Sequence, residues 1–122
     1  MNPPIFFSGI PEGSKSLALI VDDPDASSGT WTHWTVWNIA PGTKEIKENS
    51  VPERAMQGTT SAGSTGYHGP CPPSGTHRYF FRIYALDAEL QLDSNAKMDE
   101  LNKAMEGHIL AQGELMGKYS RN

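Results

Sequence analysis

The segment SLALIVDDPDA, residues 16–26, decides the fold. It begins with a short apolar run that contains two β-branched residues, which strands favour. Turn-forming residues bound this run on both sides, at residues 11–13 before it and at residues 22–25 after it. Because the run is too short for a typical helix, we predict a buried strand over residues 16–23.

Two further segments have the composition of strands. Residues 30–40 (TWTHWTVWNIA) and 77–86 (HRYFFRIYAL) are rich in β-branched and aromatic residues. In the first of them, alternation places one set of side chains on a common face: Trp31, His33, Thr35, Trp37 and Ile39. Its other face is also apolar, so we predict that this strand is covered on both sides.

The C-terminal part of the chain has a different periodicity. From Lys97 to Lys118, apolar residues recur at intervals of three to four, which is typical of an amphipathic helix. Either Asn95 or Ser94 is a suitable N-cap, and Gly117 is a suitable end. We therefore predict a C-terminal helix, with His108 on its apolar side, attached to a mainly β fold.

Length and composition exclude several classes of protein. A chain of 122 residues predicts a single domain over residues 1–122. The net charge of −4, without a basic cluster, argues against binding to nucleic acid. No apolar run approaches the roughly 20 residues of a membrane helix, and we do not expect the N-terminal residues to act as a secretion signal. With Cys71 as the only cysteine, a reducing compartment is favoured. We expect a soluble, cytoplasmic protein.

Three acids surround one proline in the stretch Asp22–Asp25. An Asp–Pro turn explains one or two of them, because Asp side chains hydrogen-bond to nearby backbone groups. Three carboxylates within four residues repel one another unless a cation, a histidine or several backbone N–H groups compensate their charge. This pattern predicts a functional role for at least one of the acids.

Two histidines occupy early positions in the predicted strands. The short connection between strands 16–23 and 30–40 predicts a hairpin, which brings Asp23 and His33 to the same edge of the sheet. His77 joins them only if its strand runs parallel to the strand over 30–40, and the sequence leaves that open.

If these residues meet, they form a compact polar site. The carboxylate would fix the tautomer of an imidazole and raise its pKa, and Tyr79 would add a phenol. Beside them, residues 67–75 (YHGPCPPSG) form a loop that its prolines stiffen. Such donors suit a tetrahedral oxyanion, whose hydrogen bonds are short and strong. By ligand type, Asp23, His33 and His77 would also suit a metal ion.

Four stretches together are similar to the diagnostic segments of the phosphatidylethanolamine-binding family, in its bacterial and archaeal branch: LALIVDDPDA, THWTVWNIAP, YHGPCPPSG and THRYFFRIYALD. The resemblance extends over nearly the whole chain. It implies an antiparallel β-sandwich with a small pocket at one end, which binds phosphate-like anions and phospho-head-groups. Carried over position by position, it implies these ligand-binding residues: Asp23, His33, Gly69, Pro70, His77 and Tyr79. It places Asp25 behind them as a supporting residue and favours an anion over a metal; no cofactor is expected.

The sequence departs from the family pattern in two places. Ser27 replaces a proline that usually follows the Asp-Pro-Asp-Ala stretch, which predicts a less constrained loop. Family members also usually begin with a further N-terminal strand ahead of the position of Met1. We therefore expect an uncovered sheet edge or core flank, which a partner subunit in a homodimer or a truncated gene model would explain.

Three functions are compatible with these features. The leading hypothesis is a non-enzymatic regulatory protein that binds a phospho-ligand and modulates a kinase or a serine protease, as members of the family are described to do. The alternative is protease inhibition through an exposed loop such as residues 58–66 (GTTSAGSTG), which we predict to be flexible. The third is a hydrolase with Asp23 and His33 or His77 as acid and base. No nucleophile elbow or metalloprotease motif supports that third reading.

Overall fold

The computed structural model describes most of the chain. The described residues are 5–23, 31–47, 50–61, 63, 65–67 and 75–121, with the backbone alone described for 75–79 and 115–121. They form seven strands and one helix: β1 Ile5–Phe6, β2 Ser16–Asp23, β3 Trp31–Ile39, β4 Glu45–Ile46, β5 Met56–Gln57, β6 Gly75–Leu86, α1 Met98–Met105 and β7 Ile109–Arg121. None of the helical structure in these ranges is long and apolar enough to cross a membrane.

The main sheet is built around β2. Five strands take the order β5-β3-β2-β6-β7, and β1 pairs with β4 in a separate two-stranded ribbon. All eight residues of β2 are buried: the apolar run from Leu17 to Val21 predicts this for its own residues, and the polar Ser16, Asp22 and Asp23 are buried with them. β2 pairs antiparallel with β3 on one side and with β6 on the other. β3 and β6 therefore run parallel to each other, which is the arrangement that the sequence left open for His77.

Apolar side chains pack on both faces of this sheet. Leu17, Leu19 and Val21 alternate onto one face, where they join a cluster that includes Ile46 of the ribbon. Ala18 and Ile20 lie on the opposite face, in a second cluster that α1 covers through two buried side chains, Leu101 and Met105. The fold is mainly β with antiparallel sheets and one helix, as predicted, and β3 is covered on both sides.

The alternation along β3 differs from the prediction. Trp37 and Ile39 were expected on one face, but they belong to the clusters on opposite faces. The cause is an extra residue in β3, because Leu17 is opposite Ile39 while Leu19 is opposite Val36. Asn38 takes the left-handed conformation there, with φ of 57°. Its side-chain amide donates to the Leu90 carbonyl at 2.9 Å and accepts from the Leu90 N–H at 2.7 Å, which holds this conformation.

The predicted helix over 97–118 is wrong beyond its first part. The helix ends at Met105, and Gly107 follows with φ of 81°, a conformation that glycine adopts at helix ends. From Ile109 onward the chain is β7, which pairs with β6 along its whole length. Local spacing favoured a helix, but pairing with a neighbouring strand overrides weak helix propensity.

His108 also differs from its predicted place. It was expected on the apolar side of a helix, but it lies in the turn before β7 and is exposed. Its Nδ1 atom is 2.7 Å from Oδ1 of Asp87. It is therefore a surface histidine that pairs with an acid.

Candidate anion-binding site

The end of β2 and the starts of β3 and β6 meet at one end of the main sheet. Asp23, the last residue of β2, is opposite Trp31, the first residue of β3. On the other side Asp22 is opposite Phe80 of β6, so the backbone of β6 from Gly75 to Tyr79 runs on past this point. The backbone positions of Asp23, His33, His77 and Tyr79 therefore share one end of the sheet.

The register of β3 sets the position of His33. Val21 is opposite Trp34 and Asp22 is opposite Thr32, so His33 is an extra residue in β3. Such bulges re-aim side chains and are common beside functional sites. His33 is 5% exposed and Asp23 is 3% exposed, and both interact with other groups of the protein. A buried carboxylate and a buried imidazole are thus placed at adjacent strand ends.

A short segment after β5 covers β3 next to His33. The N–H of Ser61 donates to the Thr32 carbonyl at 3.0 Å, and the Thr32 N–H donates to Oγ of Ser61 at 2.8 Å. The Gly58 N–H likewise donates to the Thr35 carbonyl at 3.0 Å. The prediction of a flexible surface loop over 58–66 is wrong for Gly58 and Thr60, which are buried. Residues 58–61 therefore lie along β3 beside His33.

Tyr67 anchors the start of the proline-rich loop. Its ring meets the ring of Trp34 edge-on, with centroids 5.4 Å apart. The indole N–H of Trp34 donates to Oε1 of Gln57 at 2.7 Å, which fixes the Trp34 ring. Burial raises the pKa of the Tyr67 phenol. The loop over 67–75 therefore begins beside the strand that carries His33.

Several predicted site residues cannot be compared with the structure. Gly69, Pro70 and Asp25 lie outside the described residues. For His77 and Tyr79 the structure describes the backbone, and their side chains lie outside it. Within the described part of the chain there is no group of three or more His, Cys, Asp or Glu residues that could hold a metal ion.

Arg82 also belongs to this region, although it was not among the predicted site residues. Nη1 of Arg82 donates to Oδ2 of Asp22 at 3.1 Å, and Nε of Arg82 lies 3.2 Å from Oε2 of Glu114. The Arg82 guanidinium also lies 5.1 Å from the ring centroid of Phe80. The crowded acids predicted compensation by a cation, a histidine or several backbone N–H groups, and for Asp22 the structure shows a cation, Arg82. An arginine between apolar residues, in the stretch Phe80–Tyr84 of β6, was the available signal.

Asp22 is held in an unusual electrostatic environment. Its side chain is 2% exposed, and Oδ1 has no hydrogen-bond partner in the described structure. Burial raises the pKa of Asp22 most strongly, and Glu114 and Asp23 raise it further. The positive charge of Arg82 opposes this and lowers the pKa, without cancelling the effect of burial.

Comparison with known proteins identifies the family. The family model for phosphatidylethanolamine-binding protein matches residues 1–120. The chain belongs to the phosphatidylethanolamine-binding protein family. Among the relatives in this family is a UPF0098 protein of Methanothermobacter thermautotrophicus, 48% identical over 99% of this chain and 83% of its own length.

Two solved structures of the phosphatidylethanolamine-binding protein (PEBP) family share the fold. One is a putative PEBP homologue from Chlamydia trachomatis, CT736, with a TM-score of 0.93 and 43% identity over 98% of this chain and 81% of that one. The other is Escherichia coli YbcL, described as a new member of the mammalian PEBP family. It has a TM-score of 0.89 and 32% identity over 98% of this chain and 79% of that one. The resemblance drawn from the four sequence segments is confirmed at the level of family and fold.

Proposed function

We propose that this member of the family is a regulatory protein that binds phosphate-like anions and phospho-head-groups through Asp23, His33, His77 and Tyr79, with Gly69 and Pro70 at the rim. The observation that carries the proposal is the strand order. Because β3 and β6 flank β2 and run parallel to each other, both histidine-bearing strands enter the sheet at the end where Asp23 lies.

The proposed chemistry is charge-assisted hydrogen bonding. Protonated imidazoles at His33 and His77 would donate to the anion, and Asp23 would stabilise the protonated form of a neighbouring ring. A phenol donor at Tyr79 would complete the set. Because the overall charge is −4, the pocket itself has to supply the attraction. Binding should therefore weaken as the pH rises through the imidazole pKa, which is about 6.5 when unperturbed.

Calorimetric titration with inorganic phosphate and with phosphoethanolamine tests the proposal. At pH 6 we expect saturable binding. The affinity should fall about tenfold or more in His33→Gln and in His77→Gln, because each substitution removes one charge-assisted hydrogen bond. His108→Gln is the matched control and should bind as the unchanged protein does, because His108 lies in the turn after α1. Absence of heat at millimolar ligand, or equal losses in all three variants, contradicts the proposal.

The other two functions have less support. The described part of residues 58–66 is tied to β3 by backbone hydrogen bonds, which does not favour an exposed inhibitory loop. An assay with chymotrypsin-like and subtilisin-like proteases distinguishes that alternative, since inhibition unaffected by phosphate would favour it. Phosphoester turnover that His77→Ala abolishes would favour the hydrolase.

A further inference from the structure

Two adjacent buried carboxylates lie at the proposed anion site. Asp22 and Asp23 are both nearly inaccessible at the end of β2. Two uncompensated negative charges there would repel an anionic ligand, and the more so because buried charges are weakly screened. A site for phosphate at this end of the sheet therefore requires that one of the two charges be neutralised.

The structure separates the two acids by face. Successive residues of a strand point to opposite faces, and Ile20 and Asp22 share the face that α1 covers. Arg82 lies opposite Ile20 in the register of β2 and β6. From this position, Nη1 of Arg82 lies 3.1 Å from Oδ2 of Asp22. Asp23 points the other way, towards the side of Val21.

We propose that Arg82 is a positioning residue for the anion site: it pairs with Asp22 on the helix-covered face, so that the charge of Asp22 does not act on the ligand. This inference rests on the proposed function. Three further groups lie near the pair: Tyr84 of β6, Glu114 of β7 and the chain neighbour Asp23. Glu114 is half exposed, and its Oε2 atom lies 3.2 Å from Nε of Arg82, so it forms an ion pair with the same guanidinium.

The pH profile of phosphate affinity distinguishes this role from a purely structural one. In Arg82→Met the Asp22 carboxyl loses its cation, so its pKa, already raised by burial, rises further. Below that pKa the variant should bind phosphate as the unchanged protein does. Above it the unpaired carboxylate should weaken binding about fivefold, the order expected for one unit charge roughly 8 Å from the anion at an effective dielectric constant of about 40.

Two companion variants isolate the cause. Asp22→Asn combined with Arg82→Met removes the carboxylate along with its partner, so the affinity at high pH should return. Arg82→Lys keeps the charge and should stay within about twofold of the unchanged protein. Arg54→Met, at an exposed position, is the control for the substitution itself.

A second readout needs no ligand. The imidazole pKa of His33, followed by NMR without phosphate, should rise in Arg82→Met and return in the double variant, because Asp22 is opposite Thr32, the residue before His33. If phosphate does not bind even the unchanged protein, the proposed function fails while this readout still reports on Arg82. The inference is overturned if Arg82→Met changes neither the pH profile nor the His33 pKa. It is also overturned if adding Asp22→Asn to Arg82→Met does not restore the phosphate affinity at high pH and the His33 pKa of the unchanged protein.

Discussion

The backbone at Gly58 lies against β3, and the two are too close together to leave room for a side chain at this position. A Cβ atom there would meet Oγ1 of Thr35, would lie 2.6 Å from Cζ3 of Trp37, and would lie 2.9 Å from the Ala96 carbonyl oxygen. Thr35 and Trp37 are fully buried, and the third contact is backbone, so the neighbours have little room to move. A glycine is required here by packing.

Gly58→Ala is therefore expected to destabilise the protein by about 1–3 kcal/mol, the usual cost of overpacking a core. Urea denaturation measures the change. The control is Gly42→Ala, because nothing lies within 4 Å of a Cβ at Gly42. Equal stability of the two variants would mean that the contact between this segment and β3 is looser than described.

The raised pKa of Asp22 predicts how the stability of the protein depends on pH. Its folded-state pKa is above the ordinary 3.8, so the folded protein holds this proton more tightly than the unfolded chain does. The resulting stabilisation is fully present below pH 3.8 and is lost as the pH rises through the folded-state pKa. Asp22→Asn removes that dependence.

The measurement is the free energy of unfolding at a series of pH values, as the difference between the unchanged protein and Asp22→Asn. Above pH 3.8 the difference should move steadily in favour of the variant until the folded-state pKa is passed. Other carboxylates cancel in this difference because both proteins carry them. A difference that does not vary with pH would show that burial does not perturb Asp22.

At the level of elements, α1 covers one face of the main sheet through a few side chains. Leu101 is fully buried in the cluster with Ile20 and Trp37, whereas Asn102 is exposed. Leu101→Ala should cost about 2–5 kcal/mol in unfolding free energy, and Asn102→Ala should cost little. Similar small effects at both positions in thermal or chemical denaturation would contradict the packing of α1 on the sheet.

The elements were predictable to different degrees. β2, β3 and β6 were predicted nearly to their ends, because continuous or β-branched apolar runs bounded by turn residues decide them locally. β7 was not, because its spacing also fits a helix and only its pairing with β6 selects the strand. The faces of β3 were mispredicted because a bulge at Asn38 depends on partners at Leu90, far along the chain.

On the scale of the whole molecule, the topology carries the functional argument. Family and fold followed from the resemblance of four short segments, which also implied one pocket. The residues by themselves left the convergence of the strand ends open, because the sequence does not specify which strands are neighbours. Arg82 escaped notice for the same reason: its partners Asp22 and Glu114 come from two different strands. Asp23 and His33 were predictable as neighbours because a short connection joins their strands.

The most direct measurement is an NMR titration of the histidine side chains with inorganic phosphate at pH 6. We expect the signals of His33 and His77 to shift together and to saturate with one dissociation constant, because both imidazoles would contact one anion. The signal of His108, paired with Asp87 in the turn before β7, should stay unchanged. The result that would contradict this is a titration in which millimolar phosphate shifts neither the His33 signal nor the His77 signal of the folded protein, or shifts just one of them. In that case the two strands do not place their histidines in a shared site.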